Sequence, residues 1–207
     1  MKPIFTTVLT FSICLLLLGM LGSCKDAEAK KEYQPAGRET KKVALSQEQL
    51  VKRGEYLVNT IGCQDCHSPK RMGERGPEYI KELAFSGYQA KNELPPISQD
   101  ALEKGWMLMN PDLTAAVGPW GVSFAANLTS DDTGIGTWSF EQFNRSLTEG
   151  KLRGEPNGRT LLPPMPWENF KNLKEEDLRA MYEYFMSTEP VQNSVPAPIP
   201  PQKLISL

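Results

Sequence analysis

The sequence predicts a mainly α-helical domain in which long loops connect a small number of helices. Three segments, 46–62, 139–148 and 173–187, place apolar residues at helical spacing. No segment shows the regular apolar–polar alternation that marks a half-buried strand. Gly and Pro residues interrupt 68–126, so that region is expected to be loop, with at most a short helix near 99–106.

The first helix should begin at Ser46, because Ser46 and Gln49 have the spacing of a capping box. Gly62 should end it. Gly54 costs about 1 kcal/mol in a helix interior, so its presence indicates that another helix passes close by. The apolar face of this helix comprises Leu50, Leu57, Val58 and Ile61.

The second and third helices show equally clear boundary signals. Ser139 and Gln142 again have capping-box spacing at the start of the second helix. Acidic residues crowd the first turn of the third helix, which suits the helix dipole, and Pro190 prevents its continuation. Their apolar faces comprise Phe140, Phe143 and Leu147 in the second helix and Leu178, Met181, Tyr182 and Phe185 in the third.

A pentapeptide directly after the first helix, Cys63-Gln64-Asp65-Cys66-His67, contains the only histidine among 207 residues. The C-x-x-C-H pattern is the attachment site of a c-type haem. Its two thiols form thioethers to the haem vinyl groups, and the adjacent imidazole is placed to ligate the iron. Because the motif occurs once, the sequence predicts one covalent haem c.

Other uses of the motif fit the sequence less well. A structural zinc site normally requires four Cys or His ligands, and the remaining cysteines, Cys14 and Cys24, belong to a predicted export segment. A redox-active dithiol would need a βαβ context, which the sequence does not show. A redox dithiol or a chance match is the alternative to haem attachment.

The N-terminus has the features of an export signal. Lys2 precedes a nearly continuous apolar stretch over 4–21, and small residues lead into Cys24. This pattern resembles a bacterial lipoprotein signal, so 1–23 is predicted to be a signal peptide and Cys24 a lipidated first residue. An uncleaved membrane helix is the alternative, although the stretch is at the short end for spanning. Both interpretations hold the domain at a membrane, on the periplasmic side of a bacterial cell envelope.

Two segments flank the predicted domain over 46–190. Residues 24–45 are rich in Lys, Glu and Ala without apolar periodicity, which predicts a flexible tether with a reach of roughly 25 Å. The proline-rich tail, 191–207, is expected to be extended, either lying over the domain or binding a partner. The net charge is −2 with mixed signs, which argues against nucleic acid as a partner.

The ligand on the opposite face of the iron would decide the chemistry of the haem. With no second histidine, methionine is the natural candidate, and Met165 stands between prolines that stiffen its loop. Met107 and Met109 are the alternatives. His/Met ligation raises the reduction potential. The Nδ1–H group of His67 also needs an acceptor, for which the backbone carbonyls of Pro69 and Pro77 are candidates.

Several segments carry a family resemblance. The residues from Arg53 to Val58, followed by the pentapeptide, resemble class I cytochrome c. Four further segments are similar to haem domains in cytochrome c subunits of membrane-bound alcohol and sugar dehydrogenases: Asn127-Leu128-Thr129, Thr133-Gly134-Ile135-Gly136-Thr137-Trp138, Pro163-Pro164-Met165-Pro166 and Asp177-Leu178-Arg179-Ala180.

The resemblance implies the class I cytochrome c fold, in which crossing N- and C-terminal helices and long loops enclose one covalent haem. It covers 50–67 and about 127–195, and leaves about 70–125 as an insertion without a matching pattern. In that fold Gly54 would face the third helix near Met181, Tyr184 and Phe185. Those dehydrogenase subunits carry several haem domains, whereas this chain carries one motif.

The resemblance also implies roles for individual residues. Cys63 and Cys66 would attach the haem, and His67 and Met165 would be its axial ligands. Candidates for bonding the haem propionates in such a fold are Trp120, Trp138 and Arg159; ordinary packing or a surface position is the alternative for each.

These features predict a membrane-anchored single-haem electron carrier, not an enzyme. Its donor would be a dehydrogenase or a quinol-oxidising complex, and its acceptor an oxidase or reductase. Lys151, Arg153 and Arg159 near the Met165 loop are candidates for docking an acidic partner, or form an ordinary solvated loop. The alternatives are a haem enzyme or gas-binding protein with an open sixth position, and a fixed haem subunit of a larger oxidoreductase complex.

Overall fold

The computed structural model describes residues 45–206. The predicted signal peptide 1–23, the predicted lipidation site Cys24 and the predicted tether up to residue 44 lie outside the described residues. Within the described part of the chain, no helix combines the length and apolar character needed to cross a membrane.

The described residues form six α-helices, three 3-10 helices and five short strands. The α-helices are α1 (Gln47–Ile61), α2 (Cys63–His67), α3 (Gln99–Glu103), α4 (Phe140–Thr148), α5 (Trp167–Phe170) and α6 (Glu175–Met186). The strands are β1 (Lys70–Gly73), β2 (Gly76–Tyr79), β3 (Leu108–Met109), β4 (Ala115–Gly118) and β5 (Gly121–Phe124). The 3-10 helices are Lys81–Leu83, Leu152–Gly154 and Pro201–Ser206.

The three main helices confirm the boundaries predicted from their caps. Ser46 accepts a hydrogen bond from the Gln49 backbone N–H, and the Gln49 side chain accepts one from the Ser46 backbone N–H. Ser139 and Gln142 form the same reciprocal pair at the start of α4. Gly62, with φ at 85°, ends α1 in the left-handed region that favours glycine.

Helices α1 and α6 pack closely at Gly54, as the sequence predicted. A Cβ atom added to Gly54 would overlap the Ala180 carbonyl oxygen and lie 2.7 Å from the Tyr184 Cβ. The close neighbours are therefore Ala180 and Tyr184, whereas Tyr184, Met181 and Phe185 were expected. At the rim of the contact, Arg53 Nη2 lies 2.9 Å from the Asp177 carboxylate. The absence of a side chain at Gly54 is what allows the two helices to approach.

A hydrophobic core forms around this helix pair. Phe85, from the loop after the first 3-10 helix, enters it and contacts Phe185 edge to face, with ring centroids 5.3 Å apart. The Phe143 ring of α4 lies 6.0 Å from the Phe185 ring on another side. The buried members of the core are Leu57, Val58, Phe85, Ile135, Phe143, Ala180, Met181 and Phe185.

The expectation of loop without strands over 68–126 was wrong in part. β1 and β2 form an antiparallel hairpin, and β3, β4 and β5 form a three-stranded antiparallel sheet. None of these strands exceeds four residues, and every residue of β4 is buried. Strands this short, or buried on both faces, do not produce the alternating pattern on which the sequence prediction depends. The predicted short helix is present as α3.

The described part of the proline-rich tail packs against the domain. The backbone of Ile199 pairs with Val122 through two hydrogen bonds of 2.8 and 3.0 Å, which adds a partner to the free edge of β5. Leu204 is buried with Val117 and Val122 in a second apolar cluster. Of the two interpretations offered by the sequence, the structure places this segment over the domain surface. The expectation of an extended tail was wrong for Pro201–Ser206, which is a 3-10 helix.

Asn193 anchors the tail most deeply. Its amide nitrogen donates to the carbonyls of Ser86 and Tyr88 at 2.7 and 2.9 Å, and its amide oxygen accepts from the Ala90 N–H at 3.1 Å. The Asn127 side chain donates to the Val191 carbonyl at 2.8 Å. The tail therefore joins two loops that are distant in sequence.

Replacing Gly54 with Ala tests the helix contact. In an exposed helix this substitution stabilises the fold by about 1 kcal/mol, but here we expect a loss of about 1 to 3 kcal/mol because the new methyl group overlaps the Ala180 carbonyl. Urea unfolding measures the change. Thr60→Ala, at an exposed position of the same helix, should give a small gain, and stabilisation by both variants would contradict the contact.

Replacing Asn193 with Leu tests the tail anchor. Two carbonyls and one N–H group would lose their partner in a buried site, so we expect unfolding free energy to fall by about 2 to 4 kcal/mol. The exposed Asn157 provides a matched control, since Asn157→Leu changes the same atoms in solvent. An equal effect of the two substitutions in urea unfolding would show that the Asn193 contacts contribute nothing specific.

Candidate haem-attachment site

Helix α2 brings Cys63, Cys66 and His67 together directly after α1. The left-handed conformation of Gly62 lets the chain turn from one helix into the next, and the Gly62 carbonyl accepts the first hydrogen bond of α2 from the Asp65 N–H at 3.0 Å. Residues three and four apart share a helix face. The two thiols and the imidazole therefore project from one side of a single helical turn.

The His67 ring is buried, and a backbone carbonyl fixes its orientation. His67 Nδ1 lies 2.8 Å from the Ala126 oxygen. Because a carbonyl only accepts, Nδ1 carries the hydrogen and Nε2 keeps its lone pair. Burial lowers the pKa of His67, while the bond to Ala126 opposes this shift. The lowered pKa favours the neutral ring, in which Nε2, without a hydrogen-bond partner among residues 45–206, is available to ligate a metal.

The prediction of a backbone acceptor for Nδ1 was right in kind and wrong in residue. Ala126 occupies the role proposed for Pro69 or Pro77. The Pro69 carbonyl instead accepts from the Ile80 N–H at 3.0 Å, and Pro77 lies in β2 opposite Met72. Sequence reasoning missed Ala126 because an alanine carbonyl has no side-chain signature, and because it comes from a distant part of the chain.

Backbone contacts hold Ala126 in place beside His67. The Tyr88 N–H donates to the Ala125 carbonyl at 3.0 Å, and the Gly87 N–H donates to the His67 carbonyl at 2.9 Å. Gly87 has φ at 73°, and a Cβ there would overlap the Ala125 oxygen. The segment around Gly87 thus lies between the backbone of the histidine and that of its acceptor, and connects them.

Burial raises the pKa of both thiols of the motif. The pKa of Cys63 rises to about 11, chiefly because the thiol is removed from water, and burial also raises that of Cys66. A redox-active Cys-x-x-C pair depends instead on a lowered thiol pKa. Both cysteines are free, and their environment disfavours the redox-dithiol alternative.

The hairpin β1–β2 secures the C-terminal end of α2. Lys70 Nζ donates to the carbonyls of Asp65, Ser68 and Asp112, so one ammonium group satisfies main-chain oxygens of the motif and of a separate loop. The Tyr79 hydroxyl donates to the Asp65 carboxylate at 2.7 Å. Burial and this bond raise the pKa of Tyr79 to about 12. The Lys70 side chain therefore connects the motif to the loop that contains Asp112.

The methionines of the described residues differ widely in exposure. Met72 and Met107 are 73% and 62% exposed, and Met109 is 44% exposed. Met181 is buried in the helix core. Met165 is half-buried in its proline-flanked loop, where the Pro163 carbonyl accepts a 2.6 Å hydrogen bond from the Ser123 hydroxyl. Ligation by Met165 stays a prediction.

The remaining candidate residues are dispersed. Trp120 Nε1 donates to the Ser123 hydroxyl at 3.2 Å, whereas Trp138 packs against the helix core. Lys151, Arg153 and Arg159 share one loop, closed by a backbone bond from Leu152 to Arg159. Arg153 and Arg159 are exposed there, and their predicted roles stay predictions.

Comparison with known proteins confirms the resemblance to dehydrogenase cytochrome c subunits. The chain is 30% identical over 66% of its length to the gluconate 2-dehydrogenase cytochrome c subunit of Pantoea cypripedii. It is 29% identical over 72% of its length to the alcohol dehydrogenase (quinone) cytochrome c subunit of Gluconobacter oxydans. It is 28% identical, again over 72% of its length, to the fructose dehydrogenase cytochrome subunit of Gluconobacter japonicus.

These matches involve only part of each relative. They cover 23% of the gluconate 2-dehydrogenase cytochrome subunit, 24% of the alcohol dehydrogenase cytochrome subunit and 23% of the fructose dehydrogenase cytochrome subunit. No family model matches the chain. The matched part of the chain thus spans about a quarter of the length of each of these three cytochrome subunits.

Replacing Lys70 with Met tests the support of the motif. Three main-chain carbonyls would lose a charged donor in a partly buried site, so we expect unfolding free energy to fall by about 1 to 3 kcal/mol. Urea unfolding provides the measurement. Lys104→Met removes an exposed pair with Asp100 in α3 and should cost less than about 1 kcal/mol. Equal losses would contradict the special role of Lys70.

Proposed function

Starting from a chain related to cytochrome c subunits of dehydrogenases, we propose that it is a single-haem electron-transfer protein. The observation that carries the proposal is the hydrogen bond between His67 Nδ1 and the Ala126 carbonyl. The bond holds Nδ1 and leaves Nε2 available to ligate iron, on a helical turn that also carries both thiols. A neutral, immobilised imidazole beside two thiols is the donor set that covalent haem attachment requires.

The residues of the site fit a haem in three respects. Cys63 and Cys66 are free and half-buried, so neither is committed to a disulfide. His67 is held in the tautomer that leaves Nε2 as a ligand. The loop that carries Met165 is tied through Pro163 to Ser123, which limits its motion. We propose Cys63 and Cys66 as attachment residues and His67 and Met165 as axial ligands.

When bound, the haem supplies a one-electron couple between ferrous and ferric iron. The protein residues determine how that couple behaves. Ligation by the His67 imidazole and the Met165 thioether would favour the reduced state and raise the potential. The hydrogen-bonded ring of His67 and the proline-flanked loop of Met165 would hold both donors in place in either oxidation state, so electron transfer would require little rearrangement of the protein.

Electron transfer is favoured over catalysis at an open iron. Peroxide chemistry would require a distal base, and the chain contains no second histidine. A methionine on the sixth position would also exclude small ligands. The alternative is a haem enzyme or gas-binding protein, which would follow if Met165 did not ligate.

The relatives suggest the class of electron donor. Their names identify them as cytochrome subunits of dehydrogenases, which supports a dehydrogenase as the electron donor. A quinol-oxidising complex as the alternative donor, and an oxidase or reductase as the acceptor, complete the proposal. A diffusing carrier held to a membrane by lipid on Cys24, at the periplasmic side of the envelope, is our preferred form. A fixed subunit of a larger oxidoreductase complex is the second candidate, since the relatives are themselves subunits.

Replacing Met165 with Ala tests the ligand assignment. The ferric protein should show the weak far-red sulfur-to-iron charge-transfer band, and Met165→Ala should abolish it. Met109→Ala, which changes an exposed methionine on β3, is the matched control and should retain the band. If the band survives in Met165→Ala, the assignment is wrong, and rapid carbon monoxide binding by the reduced native protein would favour an open-site enzyme.

A further inference from the structure

One short stretch of chain, residues 121–126, contacts the surroundings of both proposed axial ligands. At its end, the Ala126 carbonyl accepts from His67 Nδ1 at 2.8 Å. Three residues earlier, the Ser123 hydroxyl donates to the Pro163 carbonyl at 2.6 Å. Pro163 lies two residues before Met165. Most of the stretch belongs to the region for which the sequence resemblance provided no role.

The Ser123 hydroxyl is committed to the methionine loop. The side chain is buried, and its single proton has a near acceptor in Pro163 and a distant one in the Ala116 carbonyl, at 3.4 Å. Trp120 Nε1 donates to the same oxygen at 3.2 Å. A hydroxyl that accepts from an N–H group becomes a better donor, so the indole strengthens the bond to the loop.

The backbone that carries Ser123 is held on both sides. In β5, Ser123 stands opposite Ala116 of β4. On the other edge, its neighbour Val122 pairs with Ile199 of the tail through two hydrogen bonds. Because the strand has partners on both edges, the hydroxyl presents a fixed point to the loop.

We propose that Ser123 is a positioning residue that holds the Met165 loop closed over the haem site. The inference rests on the proposed ligation by Met165. Ser123 itself would not contact the iron. It acts through its hydrogen bond to the Pro163 carbonyl, which limits how far the Met165 side chain can move away from the iron. Without the hydroxyl, the loop opens more readily and an external ligand competes better with the thioether.

Imidazole binding to the ferric, haem-loaded full chain measures this effect. Imidazole must displace the methionine, so its apparent affinity reports how tightly the loop is held. We expect Ser123→Ala to increase that affinity about three- to tenfold, the range that one hydrogen bond represents. The far-red band should persist without imidazole, because Met165 is still present.

Ser130→Ala is the matched control. The Ser130 hydroxyl makes an equivalent 2.6 Å bond to the Thr188 carbonyl, outside the methionine loop, so its loss should leave imidazole affinity unchanged. Equal shifts in both variants, or no shift in Ser123→Ala, would overturn the proposal. Should Ser123→Ala not assemble with haem, Trp120→Phe weakens the same bond and should shift affinity in the same direction, by about twofold; an unshifted affinity would then overturn it.

The Met165→Ala variant separates this inference from the proposed function. If the far-red band is lost in Met165→Ala and Ser123→Ala binds imidazole like the native protein, ligation by Met165 is supported and the proposed role of Ser123 is wrong. If the band remains in Met165→Ala, the ligand assignment falls, and the role of Ser123 falls with it.

Discussion

The hydrogen bond from His67 to the Ala126 carbonyl is the constraint on which the site depends. A histidine on a five-residue helix has little local restraint, since α2 ends at the histidine itself. The Ala126 carbonyl fixes both the tautomer and the ring plane, and backbone bonds through Gly87 and Tyr88 hold that carbonyl in turn. The loop contacts around Gly87 and Tyr88 therefore help to keep the Ala126 carbonyl oxygen beside Nδ1 of His67.

The structure divides into a locally encoded part and a part assembled over long range. Helices α1, α4 and α6 were predictable because helix caps, as at Ser46 and Ser139, and apolar spacing are signals local in the sequence. Gly54 was interpretable for the same reason, since a glycine inside a good helix signals a close neighbour. The cysteines and histidine could be proposed as a haem-attachment site because the C-x-x-C-H spacing is specific to that chemistry.

The remainder was not predictable from local pattern. β4 is buried throughout, so its residues do not alternate, and β3 is only two residues long. Ala126 acts through its backbone carbonyl, which the residue type does not reveal. Ser123 is distinguished from the other serines by its contact with Pro163, which is visible only in the structure. The tail was interpreted from its prolines alone, whereas Asn193 gives it specific buried contacts. Each of these features depends on contacts between distant segments of the chain. A single sequence does not show which segments are in contact.

The long reach of these contacts has a consequence for the order in which the protein matures. The partner of the histidine lies 59 residues further along the chain, and Asn193 reaches back 107 residues to Ser86. Contacts across such separations form late, because the intervening chain must first close on itself. In the proposed haem attachment, the thiols of Cys63 and Cys66 would thus be accessible while the contacts around His67 are still unformed. The late contacts would bury the site only after the thioether bonds had formed.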